Sequence, residues 1–313
     1  MNLEPPKYSI IILVEDCYPD FPSFVKSLNG LFSSRGEPYE ILIVANGTGH
    51  FVRQHIDALS TINNGINIIE FPTRTSQAIC ARAGLSETTG EIIVTCGSYQ
   101  QISNISLGRL IDSLDDETDI LSPWRKRRVD PFFNQIQSRV FNQIVRIIVG
   151  TRLHDLTCTV KVFRREVLEE TQLYGNMYRF LPVVAEQKGF KTKEVECEHL
   201  EERGKTGFYS ISEYVGRILD IFTLYFNTRF TRKPLRFFSA IGLSFILTGL
   251  VTMAYLFVER FFFDLPIGNR PFLMLAIIAV IVGAQVASVG LLGEIITFTH
   301  VRQKKEYTIE KII

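Results

Sequence analysis

Tyr8-Ser9-Ile10-Ile11-Ile12-Leu13-Val14 and, further along, Glu40-Ile41-Leu42-Ile43-Val44-Ala45 decide the fold class. Both are short, continuous, β-branched apolar runs, the pattern of strands buried on both faces. The second runs into Asn46-Gly47, a turn signal. Ile66 to Phe71, Glu91 to Cys96 and Asp119 to Ser122 read as three further strands. Between them, Phe21 to Phe32, Ser76 to Thr88 and Ile105 to Leu114 carry helical spacing, with Gly90 closing the second. Strands that alternate with short helices predict βαβ units and a mostly parallel sheet. Ligands of such sheets bind outside the carboxyl ends of the strands. The tips after Val14, Ala45 and Cys96 are therefore the expected site. The alternation is unbroken to residue 122, so the soluble part reads as one domain.

Past Pro131 the pattern changes. Phe132 to Val149 is amphipathic, with Ile136, Val140, Phe141, Ile144, Val145 and Ile148 on one face. Gln137, Arg139, Asn142, Gln143 and Arg146 occupy much of the remainder. Ile211 to Phe230 is similar: Tyr214, Ile218, Ile221, Phe222 and Tyr225 oppose Glu213, Arg217 and Asp220. Such helices either face a core or lie in a membrane interface. The second leads directly into two runs without a charged side chain, Phe237 to Val258 and Phe272 to Gly293. Each is long enough to cross a hydrocarbon core of roughly 30 Å as a helix. The divisions expected are a soluble domain over 1–210, a juxtamembrane helix over 211–234, a transmembrane hairpin over 235–300 and a tail over 301–313.

Arg229, Arg232, Lys233 and Arg236 precede the first run, and Arg302, Lys304 and Lys305 follow the second. The connection between the runs holds Glu259, Arg260, Asp264 and Arg270 and is nearly balanced. The positive-inside rule then places both termini and the soluble domain in the cytoplasm of an integral membrane protein. Composition agrees: 46% of the 313 residues are hydrophobic, the mean hydropathy is +0.13, and the two runs account for the excess. A net charge of +1 gives no reason to expect a nucleic-acid partner. Cys17, Cys80, Cys96, Cys158 and Cys197 are scattered, with no metal spacing, and fit reduced cytosolic thiols better than a disulfide framework.

Several stretches occur together in a particular order: Tyr8 to Ile12, Glu40 to Thr48, Asp119 to Arg125, Asp155 to Leu168, Arg179-Phe180-Leu181-Pro182, Arg232 to Phe238, and Gly290-Leu291-Leu292-Gly293-Glu294. Jointly they resemble the polyprenyl-phosphate branch of the family-2 glycosyltransferases, the group that contains dolichol-phosphate mannose synthase. The resemblance covers nearly the whole chain. It implies an α/β nucleotide-binding domain of the glycosyltransferase A type. It also implies transfer of a hexose from a nucleotide sugar to a polyprenyl phosphate, in one displacement at the anomeric carbon. The partners so implied are the lipid bilayer, polyprenyl phosphate and a nucleotide sugar. The residues themselves predict no cofactor; the resemblance implies Mg²⁺ or Mn²⁺ on an acidic pair after the fourth strand.

This chain departs from that pattern at the chemistry. Gly97 and Tyr99 occupy the acidic metal positions, with Ser98 between, so no metal ligand is predicted. Ala45 and Asn46 stand where two aspartates are expected for the nucleotide, and Leu13 to Cys17 replaces the usual run after the first strand. The glycine-rich segment is eroded to Arg74-Thr75-Ser76-Gln77-Ala78. Other positions match. Arg125 aligns with a phosphate-binding arginine, and Ser138 and Arg139 with the start of the first amphipathic helix, where Asn134 replaces an arginine. Gln101 aligns with the glutamine after the acidic pair. Lys161 stands for an arginine on the acceptor side, and His199 with Arg203 to Phe208 resembles a basic loop. Asp155 is the catalytic candidate; Arg125, Ser138, Arg139, Lys161 and Gln101 are the phosphate or substrate candidates. Two functions stay open on these residues. One is a transferase with metal-independent donor binding. The other is a catalytically silent relative that binds a lipid phosphate or a partner membrane protein. In a third arrangement Gly283, Ala284, Ala287, Ser288 and Gly290 pair the hairpin with a second chain or pack it on itself.

Overall fold

The structure is a computed structural model, and it describes residues 5–16, 18–55, 59, 66–171, 173, 175–200, 211–226, 234–263 and 271–301. Cys17, the loop Arg203 to Phe208, and the charges Arg229, Arg232, Lys233, Asp264, Arg270, Arg302, Lys304 and Lys305 lie outside the described residues. The chain forms two compact units, Met1–Leu224 and Tyr225–Ile313.

In the first unit, β1 (Tyr8–Val14), α1 (Phe21–Arg35), β2 (Tyr39–Asn46), α2 (Gly49–Gln54), β3 (Ile66–Phe71), α3 (Gln77–Ser86), β4 (Ile92–Cys96), α4 (Asn104–Asp112) and β5 (Ile120–Trp124) follow the expected alternation, and α5 (Phe132–Val149), β6 (Lys161–Arg164), α6 (Arg165–Glu170), α7 (Leu181–Gln187) and β7 (Thr192–Glu196) come after them. A sheet of seven strands has the order β3-β2-β1-β4-β6-β5-β7. The pairs β1–β2, β1–β4, β2–β3 and β5–β7 are parallel; β6 (Lys161–Arg164) runs antiparallel between β4 and β5. All seven residues of β1 are buried, as a central strand requires. Ile10, Ile12 and Val14 join α1 and α4 in one core, and Ile11 and Leu13 join α3 and α5 in the other.

β6 and β7 (Thr192–Glu196) are absent from the sequence expectation. Both are short, Lys161-Val162-Phe163-Arg164 and Thr192-Lys193-Glu194-Val195-Glu196, and charged residues hide their apolar content. β7 is an edge strand with no fully buried residue, so it lacks the hydrophobic signal used to find the others.

The two amphipathic helices, expected to face either a core or a membrane interface, divide their apolar residues between inside and outside. In α5 (Phe132–Val149) the buried residues are Asn134, Phe141, Asn142 and Val145. Ile136, Val140 and Ile144 of the predicted apolar face are exposed, with Phe132, Phe133 and Ile147 beside them, whereas Phe141 and Val145 are buried, so the predicted face is split. In α8 (Ile211–Tyr225), Val215, Ile218, Leu219 and Phe222 are exposed, while Asp220 reaches Arg179 at 4.0 Å. Asp220 therefore faces the domain rather than solvent. Leu224 and Ile221 tie this helix into the second core.

The second unit is a helical hairpin, α9 (Pro234–Phe263) and α10 (Pro271–Val301). Leu235–Phe262 and Pro271–Ile296 are long and apolar enough to cross a membrane, with mean hydropathies of 2.1 and 2.5. Only 17% and 11% of their most apolar windows are buried, unlike the core helices of a soluble domain. Their surfaces argue for membrane association. Glycines set the seam: a Cβ on Gly242 would meet the Gly283 carbonyl oxygen at 2.5 Å, and one on Gly283 would meet that of Gly242 at 2.6 Å. Gly249 approaches Ala276, and Gly290 approaches Phe238, equally closely. Gly283 and Gly290 pack the hairpin on itself, as one of the two expectations for the small residues had it. The Glu294 carboxylate accepts the Leu235 N–H at 3.3 Å, satisfying an orphan donor in the first turn of α9. This accounts physically for the Gly290-to-Glu294 stretch.

Candidate functional site

A cavity of about 300 Å³ opens at the carboxyl ends of β1 and β4. Glu15, Asp16 and Tyr18 come from the β1 side, and Gly97, Ser98, Tyr99 and Gln101 from the β4 side. Asn134, Ser138 and Phe141 of α5 close one wall, and Thr157 to Thr159, Lys161, Tyr178, Arg179 and Arg217 close another. Arg128 reaches it from the loop before α5. Two of the three expected tips line it. The third does not, because Asn46 is buried and its amide is already used. Its Oδ1 accepts the Thr75 N–H at 2.7 Å, and its Nδ2 donates to Thr75 O at 2.8 Å and to Glu15 Oε1 at 3.2 Å. Glu15 also accepts from Gln77 at 2.8 Å. The donor-side polar groups thus satisfy one another.

The metal implied by the fold family does not fit these residues. A Cβ on Gly97 would lie 2.9 Å from Thr159 Oγ1, so any side chain there must displace that hydroxyl. Tyr99 packs edge-on against Tyr18, with ring centroids 5.0 Å apart. Gln101 is braced rather than displayed. Its Oε1 accepts from Thr159 N at 2.9 Å and Thr159 Oγ1 at 2.8 Å, and its Nε2 donates to Tyr99 at 3.0 Å. Among the described residues no group of three His, Cys, Asp or Glu side chains could hold a metal.

Lys161 is on the cavity wall, with a side chain closed off from bulk water. Its ammonium donates to the Cys158 carbonyl at 2.6 Å and sits 5.6 Å from the Tyr178 ring centre. Burial pushes its pKa down from 10.5 to about 8. Beside it, burial lowers the Arg179 pKa, against the pull of Asp220.

The remaining candidates sit elsewhere. Arg125 is fully buried and bound to Asp155, Nε to Oδ2 at 2.7 Å and Nη2 to Oδ1 at 3.1 Å. Nη2 also donates to Thr157 at 2.8 Å. Burial would raise the Asp155 carboxyl, but the Arg125 guanidinium holds it well below the usual carboxylate range. His199 joins this cluster: its Nδ1 accepts the Val129 N–H at 3.2 Å, and Nε2 lies 3.8 Å from Asp130. Burial and the neighbouring Arg125 push its pKa down to about 4, so it is neutral at pH 7. Arg128 pairs with Asp130 at 2.5 Å. Arg125 and Asp155 thus form a bidentate pair under the site, outside the lining of the first cavity. They line a second cavity, of about 690 Å³, on the other side of α5, with Arg139. The structure brings Gln101, Ser138 and Lys161 together and separates them from Arg125, Asp155 and Arg139. Sequence reasoning missed Arg128, Arg179 and Arg217 as cavity residues. Arg179 lay within a quoted stretch, but Arg217 was assigned to a solvated face.

The mixed, mostly parallel seven-strand sheet with helices on both faces is an α/β fold of the glycosyltransferase A type. The solved glucosyl-3-phosphoglycerate synthase of Mycobacterium tuberculosis, in complex with Mn²⁺, uridine diphosphate and phosphoglyceric acid, shares that fold. It aligns with a TM-score of 0.51 and 11% identity, over 71% of this chain and 78% of its own. Residues 9–172 match the family described as Glycosyl transferase family 2, and this chain belongs to that family. It is 28% identical over 241 residues to dodecaprenyl-phosphate galacturonate synthase of Rhizobium johnstonii, covering 76% of this chain and 71% of that one. It is 25% identical over 311 residues to undecaprenyl-phosphate 4-deoxy-4-formamido-L-arabinose transferase of Enterobacter sp., covering 98% and 94%.

Proposed function

We propose that this chain is a membrane-anchored transferase that moves a sugar from a nucleotide diphosphate donor to a polyprenyl phosphate, neutralising the leaving diphosphate with side-chain cations. The observation that carries this reading is the cavity wall: Lys161, Arg128, Arg179 and Arg217 converge where Gly97 and Tyr99 offer no carboxylate. The names of both relatives, each a polyprenyl-phosphate sugar enzyme, support the acceptor class.

The chemistry asks little acid–base work of the protein. A phosphate oxygen of the acceptor attacks the anomeric carbon, the carbon–oxygen bond to the diphosphate breaks, and the electron pair leaves with the diphosphate. The attacking oxygen is already ionised at pH 7, so no general base is needed. What must be stabilised is charge growing on the leaving group, and fixed cations in a poorly solvated wall do that without reorganisation. Lys161 suits this role: with a pKa of about 8 it is still mostly an ammonium at pH 7, and a bound diphosphate would offset the desolvation that lowers that value. Ser138 and Asn134 offer neutral hydrogen bonds to the acceptor phosphate from α5. The outward apolar stripes of α5 and α8 support an interfacial position for both helices. Arg236 and the basic flanks support a cytoplasmic domain.

The test is a thermal-shift titration of the full chain in neutral detergent with UDP- and GDP-sugars, with Mn²⁺ or with EDTA. A donor that raises the melting temperature equally in both conditions is the expected result. Transfer of that sugar to undecaprenyl phosphate in EDTA completes it. A strict Mn²⁺ requirement overturns the cation mechanism.

A second reading has its own support. The tight approach of Thr159 to Gly97 and the self-satisfied Asn46 favour a silent relative that keeps only the lipid-phosphate side. Folded protein that binds undecaprenyl phosphate but no nucleotide sugar would establish it instead.

A further inference from the structure

The second cavity has no part in the transfer just described, and its lining has a definite chemistry. Lys126, Arg128, Arg139 and Arg146 line it, together with the already neutralised Arg125–Asp155 pair. Arg139 and Arg146 project from α5 two turns apart, about 10 Å along the axis at roughly 1.5 Å per residue. Among the described residues neither forms an ion pair with a carboxylate, and Arg139 donates to Gln135 Oε1 at 3.3 Å. Lys126 has an exposed partner, Glu196, at 2.6 Å, and lies 5.1 Å from the Trp124 ring centre. Trp124 stacks on His154, with centroids 4.4 Å apart and an interplanar angle of 20°, and forms a rigid wall. His154 in turn is held by Glu194 at 2.8 Å.

One residue gives the cavity its direction. Ile147 lines it and is 74% exposed on the outward apolar stripe of α5. The basic cavity and the apolar stripe are therefore contiguous. A ligand that satisfies both carries a phosphate and an alkyl chain on one molecule. Guanidinium groups pair phosphate oxygens in a fork, which suits Arg139 and Arg146 to that end.

We infer that this cavity is a second lipid-phosphate site, taking the headgroup of an anionic phospholipid while its chains lie along Ile147, Val140 and Ile136. It is separate from the transfer cavity, and this inference does not rest on the transfer reading.

The chain supplies its own probe. Trp124 is its single tryptophan and it lines this cavity, absent from the lining of the other, so intrinsic fluorescence reports on this site. The full chain in neutral detergent is titrated with dioctanoyl phosphatidylglycerol, dioctanoyl phosphatidylcholine and inorganic phosphate. A saturable change in Trp124 emission with the anionic lipid is expected, with at least tenfold weaker apparent affinity in Arg139→Gln/Arg146→Gln. Both positions are exposed, so the variant is expected to fold, and its melting temperature checks that. Lys161→Met, in the other cavity, keeps the response, which separates this site from the transfer reading. No response, or one undiminished in the double variant, overturns the inference. An equal response to phosphatidylcholine overturns the role of charge. An equal response to inorganic phosphate overturns the lipid source and leaves a free-phosphate site.

Discussion

The tips of β1 and β2 and the segment from Arg125 to Lys161 lie at the same end of the sheet but use their polar groups in opposite ways. At the tips, Asn46, Glu15, Gln77 and Thr75 hydrogen-bond to one another, and the charge present is met locally. In the segment, cations are buried. Arg125 is held by a carboxylate, whereas among the described residues Lys161 reaches a carbonyl and an aromatic face. The difference separates scaffold from site. Groups that satisfy one another stabilise the fold, and a charge left under-solvated is a standing demand for a ligand.

The largest expected effect tests the scaffold side. Arg125→Ala leaves the Asp155 carboxylate buried without its partner and should cost about 3–5 kcal/mol in urea unfolding. Arg125→Met/Asp155→Leu should recover most of that. A near-neutral Arg125→Ala that loses only ligand binding would return Arg125 to the binding residues and break the comparison.

Lys161 comes next. Its folded pKa of about 8 lies below the ordinary 10.5, so between those values the unfolded chain holds the proton more firmly than the folded one. Stability should therefore rise as pH climbs from 8 to 10.5, by roughly 3 kcal/mol at about 1.4 kcal/mol per pH unit. Lys161→Met should lack that rise and bind donor at least tenfold more weakly at pH 7. Identical pH profiles for the two proteins would show that Lys161 is solvated.

Gly97→Asp restores a family carboxylate without restoring its space. It should cost about 1–3 kcal/mol through overpacking against Thr159 and give no Mn²⁺-dependent thermal shift. Gly97→Asp/Thr159→Gly should relieve the cost. A Mn²⁺ shift in the single variant would mean the wall yields easily. The smallest effect belongs to Asn46→Ala, which removes hydrogen bonds to Thr75 and should cost about 1–2 kcal/mol. Ligand binding should be unchanged. A loss of donor affinity there would blur the line between tip and site.

The central strands and their helices were legible because burial on both faces leaves an unmistakable run, as in Ile10 to Val14. β7 was not, because an edge strand half in water carries Lys193 and Glu194 where a core strand carries valine. The site was legible as a location and as a set of losses at Gly97 and Tyr99. Its working cations were harder to read. Arg125 and Arg179 are both arginines beside aromatic or apolar residues, and nothing local says that Asp155, thirty positions away, claims one of them. The setting of the two amphipathic helices stayed open for a related reason. Periodicity finds the apolar stripe of α5 but cannot say which of two solvents, protein core or bilayer, it was written for.

The glycine seam of the hairpin has a consequence for length. Gly242 and Gly249 on one helix, and Gly283 and Gly290 on the other, are each seven residues apart, two turns of a slightly underwound helix. Losing a single residue between the members of either pair would swing the second glycine about 100° off the seam and bring a side chain against a carbonyl. The spans behave as a vernier whose graduations are whole heptads: between the marks the count is fixed.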